Sequence, residues 1–200
     1  MIVYIDGENV VHQLVEALRK TKPNASRNDI LNIDIRAMLE TILGMSSEEL
    51  EIRYYTTSLR LIRTDPILEK KSREMMRWGA AWANALSAQG IFIIKAGKLK
   101  VRDGEVCPRC GYQEAIFREK GVDVRLAVDL VVDAAEHKQL MIWSSDADLL
   151  PAVQVAKRAG VRLKNIAYVE ALNWGLARQC GEWQTYEAKA LRKVKPDGQA

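Results

Sequence analysis

The chain is poor in the residues that most often advertise a function. It carries two histidines and three cysteines in 200 residues. His12 and His137 are far apart, so there is no histidine-based acid–base or metal motif, and both are expected at the surface. Three cysteines give no disulfide framework, which fits a reducing, cytoplasmic setting. Long apolar runs are missing. The first stops at Asp6, too soon for a secretory signal, and none approaches the roughly 18 residues of a membrane span, so no membrane association is expected. No glycine-rich loop ends in Lys-Ser/Thr, which excludes the common nucleotide triphosphatase pattern. Repeats and low-complexity tracts are absent. Charge of one sign is also lacking. A formal net charge of +4 permits a nucleic-acid partner without requiring one. Hydrophobic residues make up 48%, ample for one core. Residues 1–190 are expected to form one domain, and residues 191–200 a basic tail.

What is present is an alternation of short apolar runs and helical stripes. Residues 2–5 read as a buried strand, and Val10, Leu14, Ala17 and Leu18 as one face of a helix from Asn9 to Lys20. Residues 21–32 are polar and read as a loop. Ile35, Leu39, Ile42 and Leu43 predict a helix closed by Gly44. A strand over 51–57 precedes a long helix over 66–87 and a third strand over 91–94. Residues 95–118 are basic, and Asp103-Gly104 is a hairpin signal, so this stretch reads as a β-hairpin insertion. Then follow a helix over 122–136, a strand over 140–143, a helix over 149–159, a strand over 161–165 and a short helix over 170–178. Such alternation argues for a mostly parallel α/β sheet covered by helices on both faces, with ligands at the carboxyl ends of the strands.

Three of these elements deliver aspartates to that edge. Asp6 follows the first strand, Asp146 and Asp148 follow the fourth, and Asp123 opens a helix. A buried carboxylate is costly unless paired, hydrogen-bonded or bound to a cation. Mg²⁺ and Mn²⁺ prefer hard oxygen ligands and polarise phosphoryl oxygens. Singly, each aspartate also has a plain explanation. Asp146, Ser144 or Ser145 can cap the following helix, Asp123 suits a helix N-terminus, and Asp6-Gly7 suits a turn that uses glycine's freedom. Asp129 reads either as a partner of Arg125 on the solvent face or as a carboxylate behind the metal ligands. The set carries more weight than any member.

The blocks Ile5-Asp6-Gly7-Glu8-Asn9-Val10, Lys120-Gly121-Val122-Asp123-Val124-Arg125-Leu126-Ala127-Val128-Asp129 and Ser144-Ser145-Asp146-Ala147-Asp148-Leu149-Leu150-Pro151 resemble the NYN family of PIN-like nucleases, in the family's order. The resemblance implies a PIN-like three-layer α/β/α sandwich and Mg²⁺- or Mn²⁺-dependent hydrolysis of RNA, with single-stranded RNA as partner. It implies Asp6, Asp123, Asp146 and Asp148 as catalytic metal ligands with Asn9 beside them. Related folds often pair, so a homodimer is compatible. Family members often have glycine where Ser145 stands and an aromatic where Leu149 stands. The competing expectation is an RNA-binding regulatory protein with this fold and little cleavage. A phosphatase reading fails because Glu8 replaces the second aspartate of an Asp-x-Asp motif.

Asn9, Ser144 and Ser145, together with Lys98, Lys100 and Arg102 along the hairpin, are the candidate substrate contacts. The lysines also read as guards of a sheet edge. Cys107-Pro108-Arg109-Cys110-Gly111 has the spacing of half a zinc site. Its remaining ligands would have to come from Cys180, His12 or His137, so a plain turn is preferred over zinc, and a redox pair is the third reading. Trp78 and Trp82 are expected in the core, and one of Tyr54 and Tyr55 with them.

Overall fold

The computed structural model describes residues 1–63 and 65–191. The expected basic tail lies outside them except for Leu191. In chain order the main elements are β1 (Ile2–Asp6), α1 (Gly7–Arg19), α2 (Ile35–Leu43), β2 (Glu51–Ser58), α3 (Pro66–Ala88), β3 (Phe92–Val106), β4 (Gln113–Lys120), α4 (Val122–Asp133), β5 (Gln139–Trp143), α5 (Leu150–Arg158), β6 (Arg162–Tyr168), α6 (Trp174–Cys180) and β7 (Gly181–Tyr186). The strands form one sheet in the order β4-β3-β2-β1-β5-β6-β7. All pairs are parallel except β3 with β4.

The central strand shows why both faces must be covered. Every residue of β1 is buried. Val3 and Ile5 point into one core with α1, α2 and α3, among them Val10, Leu14, Met38, Leu39, Trp82 and Leu86. Ile2 and Tyr4 point into the other with α4, α5 and α6, among them Leu126, Leu130, Val153, Ala156 and Leu176. The period-two alternation of a strand thus divides one apolar run between two helical layers. The same rule corrects the expectation for Tyr54 and Tyr55, which are both buried because the sheet has no solvent face there. Ends are set locally. Asp34 accepts from the Ala37 N–H at 2.9 Å to start α2, and Gly44 ends it with φ 64°.

Three expectations change. The polar stretch over 21–32 contains a 3₁₀ segment, Arg27–Asn32. The strand after α3 does not end before a separate insertion; β3 continues to Val106 and β4 pairs beside it as the edge strand. Asp103-Gly104 is not the hairpin turn. Register shifts between Asp103 and Val106, so the pair sits at a bulge, and the turn falls at Cys107–Tyr112. The third change is β7, paired in parallel to β6 and absent from the sequence-based expectation.

Among the described residues, no helix is long and apolar enough to cross a membrane.

Candidate functional site

The order of strands reverses around β1 and β5, and a crevice opens at their carboxyl ends, as expected of a doubly wound sheet. Asp6 ends β1, Asp146 lies past β5, and Asp123 stands in the first turn of α4. One carboxylate oxygen from each lies within 4.8 Å of the others. Asp6 is buried and Asp123 is the most exposed of the three.

The positions are enforced by close backbone approaches and by a hydrogen-bonded loop. Gly7 has no left-handed backbone, contrary to its expected role as a freely turning residue. Its need is steric, because a Cβ there would lie 2.3 Å from the Tyr55 carbonyl oxygen. Ser144 donates to Asp6 Oδ2 at 2.7 Å and accepts from the Asp146 N–H at 3.0 Å. Asp146 itself accepts from the Asp148 N–H, so it caps the 3₁₀ turn Ala147–Leu149 while facing the other carboxylates. Asn9 Oδ1 accepts from the Ser145 N–H at 3.0 Å and from Gln13 Nε2 at 2.6 Å. Asn165 and Asn173 donate to the carbonyls of Ser144 and Ser145.

Gln13 is the hub that sequence reasoning missed. It is 3% exposed. Besides Asn9 it donates to Ser145 Oγ at 3.1 Å, and its Oε1 accepts from the Tyr168 N–H at 2.7 Å. Its signal was a polar residue on the apolar stripe of α1. Gln13→Leu strands the buried Tyr168 N–H, so a loss of about 2–3 kcal/mol is expected in urea unfolding. A loss below about 0.5 kcal/mol would show that the network is dispensable to the fold.

The crevice widens into a cleft of about 660 Å³ lined by Asp6, Glu8, Asn9, Asp123, Asp146 and Glu119, with Arg27, Arg118 and His12 among the residues at its walls. Its electrostatics are those of crowded anions. Burial above all, then Asp123 and Asp146, push the Asp6 carboxyl up to about 6 against the opposing Ser144 hydrogen bond. Burial, then Glu8, Asp6 and Asp123, push Glu119 up to about 7. Asp123 is also raised, by burial and then by Asp146 and Asp148. Glu119 was not foreseen; it belongs to β4 and reaches the cleft only through long-range pairing with Leu99.

The other candidates lie apart from the convergent trio. Asp148 is exposed and outside it, and shares with Asp123 the lining of a separate apolar recess. Asp129 is held by Arg125 at 2.8 Å and by the Tyr55 hydroxyl at 2.9 Å. Lys98, Lys100 and Arg102 are exposed. Leu99, Phe117, Arg118 and Glu119 line the cleft, whereas Lys98, Lys100 and Arg102 are not among its lining residues.

Three hard carboxylate donors at this separation, one of them buried with a raised pKa, fit a divalent cation.

Comparisons with known proteins agree with this architecture. A search of curated proteins gave no significant match. Among solved structures, the chain resembles a Vibrio parahaemolyticus protein of unknown function at 13% identity and a TM-score of 0.54, covering 95% of this chain and 93% of that one. A Sir2 protein bound to acetylated peptide matches at 8% identity and a TM-score of 0.33, with 90% of each chain covered, too distant to inform the fold. The model of the NYN domain matches residues 1–186. With that match spanning nearly the whole chain, the protein belongs to the NYN domain family of PIN-like nucleases.

Proposed function

We propose that the protein is a cytoplasmic, Mg²⁺- or Mn²⁺-dependent endoribonuclease that hydrolyses single-stranded RNA, with residues 1–190 acting as one nuclease unit. The convergence of Asp6, Asp123 and Asp146 carries this reading. A pure RNA binder gains nothing from five carboxylates around one cleft, because they repel the phosphate backbone. A divalent cation held by Asp6, Asp123 and Asp146 would supply the charge that draws in a phosphodiester and activates water near neutral pH. The chain's own residues orient and select. Ser144 fixes the Asp6 carboxylate, and Asn9 holds the Ser145 N–H while Gln13 holds the Ser145 hydroxyl, so that Asp146 faces Asp6. Asp148 adds negative charge close to Asp123. Lys98, Lys100 and Arg102 are assigned to more distant phosphates of a strand that leaves the cleft and passes over the sheet edge.

A second pocket favours a single-stranded substrate. Glu8, Arg27, Met75 and Glu119 belong to the cleft and also to an adjoining apolar recess of about 230 Å³, walled by Tyr54, Leu59, Trp78 and Trp82. Trp82 is core, as expected, but Trp78 is only partly buried. Arg27 lies over its ring at 5.3 Å, and its Nε1 donates to the Arg27 carbonyl at 3.0 Å. An unpaired base entering from the cleft would stack here, whereas a base held in a duplex cannot enter. Trp78→Ala is expected to raise KM for single-stranded RNA by about tenfold, with Trp78→Phe nearer the parent. Equal KM values for all three proteins would remove the recess from the binding path.

The activity itself is tested with end-labelled RNA and single-stranded DNA of equal sequence. Cleavage of RNA is expected with Mn²⁺ or Mg²⁺, and none in EDTA. RNA bound but intact under every metal condition would instead establish a binding protein.

A further inference from the structure

The proposed reaction makes no use of Cys107 and Cys110. Both lie in the turn between β3 and β4, where Cys107 is partly buried and Cys110 exposed. The turn is tightly built. The Cys107 N–H donates to the Tyr112 carbonyl at 2.7 Å, and the Gly111 N–H to the Cys107 carbonyl at 2.9 Å. Gly111 takes the left-handed conformation, φ 71°, that lets the chain turn directly after the second cysteine. Two cysteines separated by two residues on so tight a turn have the spacing to share one soft cation.

They supply only half of what such a cation needs. A structural zinc site takes four ligands. Among the described residues, no third histidine, cysteine, aspartate or glutamate converges on the pair. Cys180 ends α6 and is buried in the core, and His12 stands at the acidic cleft. The same tip leaves large apolar side chains in solvent: Val106 is 55% exposed and Tyr112 61%. Glu105 and Arg109, both exposed, flank them. Apolar groups, an acid and a base within one small patch suit an isologous contact, in which the patch meets its own copy across a two-fold axis.

We propose that the hairpin tip is a half-site for zinc, completed by a second copy of this chain: Cys107 and Cys110 from each of two molecules bind one Zn²⁺ and join them into a dimer. A tetrahedral four-thiolate ion has a two-fold axis that exchanges one ligand pair for the other, so the symmetry of the ion and of the dimer coincide. Thiolate softness separates this site from the oxygen-lined cleft, which takes harder cations.

The test uses the whole chain, stripped with EDTA under reducing conditions and reloaded with Zn²⁺ or Co²⁺. One thiolate-bound ion per two chains is expected, with sulfur-to-cobalt absorption and a doubling of mass in light scattering. Cys107→Ser and Cys110→Ser should abolish both, with unchanged circular dichroism, while Cys180→Ser keeps both. Cobalt in the acidic cleft lacks the sulfur band and is told apart by it. The proposal is overturned by one thiolate-bound ion on a monomer. It is equally overturned by a dimer that survives stripping, or by no sulfur band and an intrachain disulfide as the only chemistry of the pair.

Discussion

Asp6→Asn is expected to abolish RNA cleavage and at the same time to stabilise the metal-free protein. The two effects share a cause. The Asp6 carboxyl is buried, and burial with its anionic neighbours moves it from an ordinary 3.8 to about 6. Below both values it is protonated in the folded and the unfolded chain, and it costs nothing. As pH rises between them, the unfolded chain releases a proton that the folded chain still holds, so stability falls. Above about 6 both states are ionised and the penalty, about 3 kcal/mol, is complete. Asparagine keeps the acceptor for the Ser144 hydroxyl and carries no charge. At pH 8 the metal-free variant should therefore melt roughly 5–10 °C above the parent, and at pH 4 the two should coincide. Mn²⁺ should raise the parent's Tm and leave the variant's nearly unchanged. Cleavage should fall by about two orders of magnitude or more, and Asp146→Asn should match it. Full activity in a purified double variant would sink the assignment. An undiminished Mn²⁺ shift in Asp6→Asn would place the cation elsewhere.

Gly97→Ala is expected to cost nearly as much activity without touching a carboxylate. Gly97 adopts φ 72°, and a Cβ there would lie 2.2 Å from the Lys120 carbonyl oxygen and 3.1 Å from the Val122 nitrogen. Both atoms are backbone, at the entrance to α4, one and three residues from Asp123. They can make room only by moving the helix start, and Asp123 moves with it. A displacement of about 1 Å in a reacting constellation costs about 100-fold. Left-handed strain and overpacking together should remove about 2–4 kcal/mol of stability. Gly44→Ala separates the two causes. Gly44 is also left-handed, φ 64°, but an added Cβ meets nothing within 4 Å. It should lose about 1 kcal/mol and no activity. Equal activity losses in the two variants would refute the steric account.

Much of the fold was legible because its helices are amphipathic and its central strands are apolar. β1, α2, α3, β5 and α5 lie within a residue or so of where periodicity and caps place them. β7 was not legible. Gly181-Glu-Trp-Gln-Thr-Tyr is an edge strand with four exposed residues, and only its pairing with β6 makes it a strand. Asp103-Gly104 misled for a related reason. A local turn preference yielded to continued cross-strand pairing, which absorbed it as a bulge. In the site, the aspartates that end or begin elements could be read, since each interrupts an apolar pattern. Glu119 and Gln13 could not. One faces the cleft through antiparallel pairing, and the other is buried in contacts with residues more than a hundred positions away. The facing of Lys98, Lys100 and Arg102 likewise depends on which side of β3 meets the cleft.

The carboxylates that meet within 4.8 Å come from positions 6, 123 and 146. No contiguous fragment short of most of the chain contains them all, and the loop that aims Asp146 is tied through Gln13 to Tyr168 in β6. A nascent chain that has not yet reached Asp146 has no such cluster, nor does a proteolytic piece of either half, so whatever cation the three carboxylates hold can be held only after the sheet has closed around them.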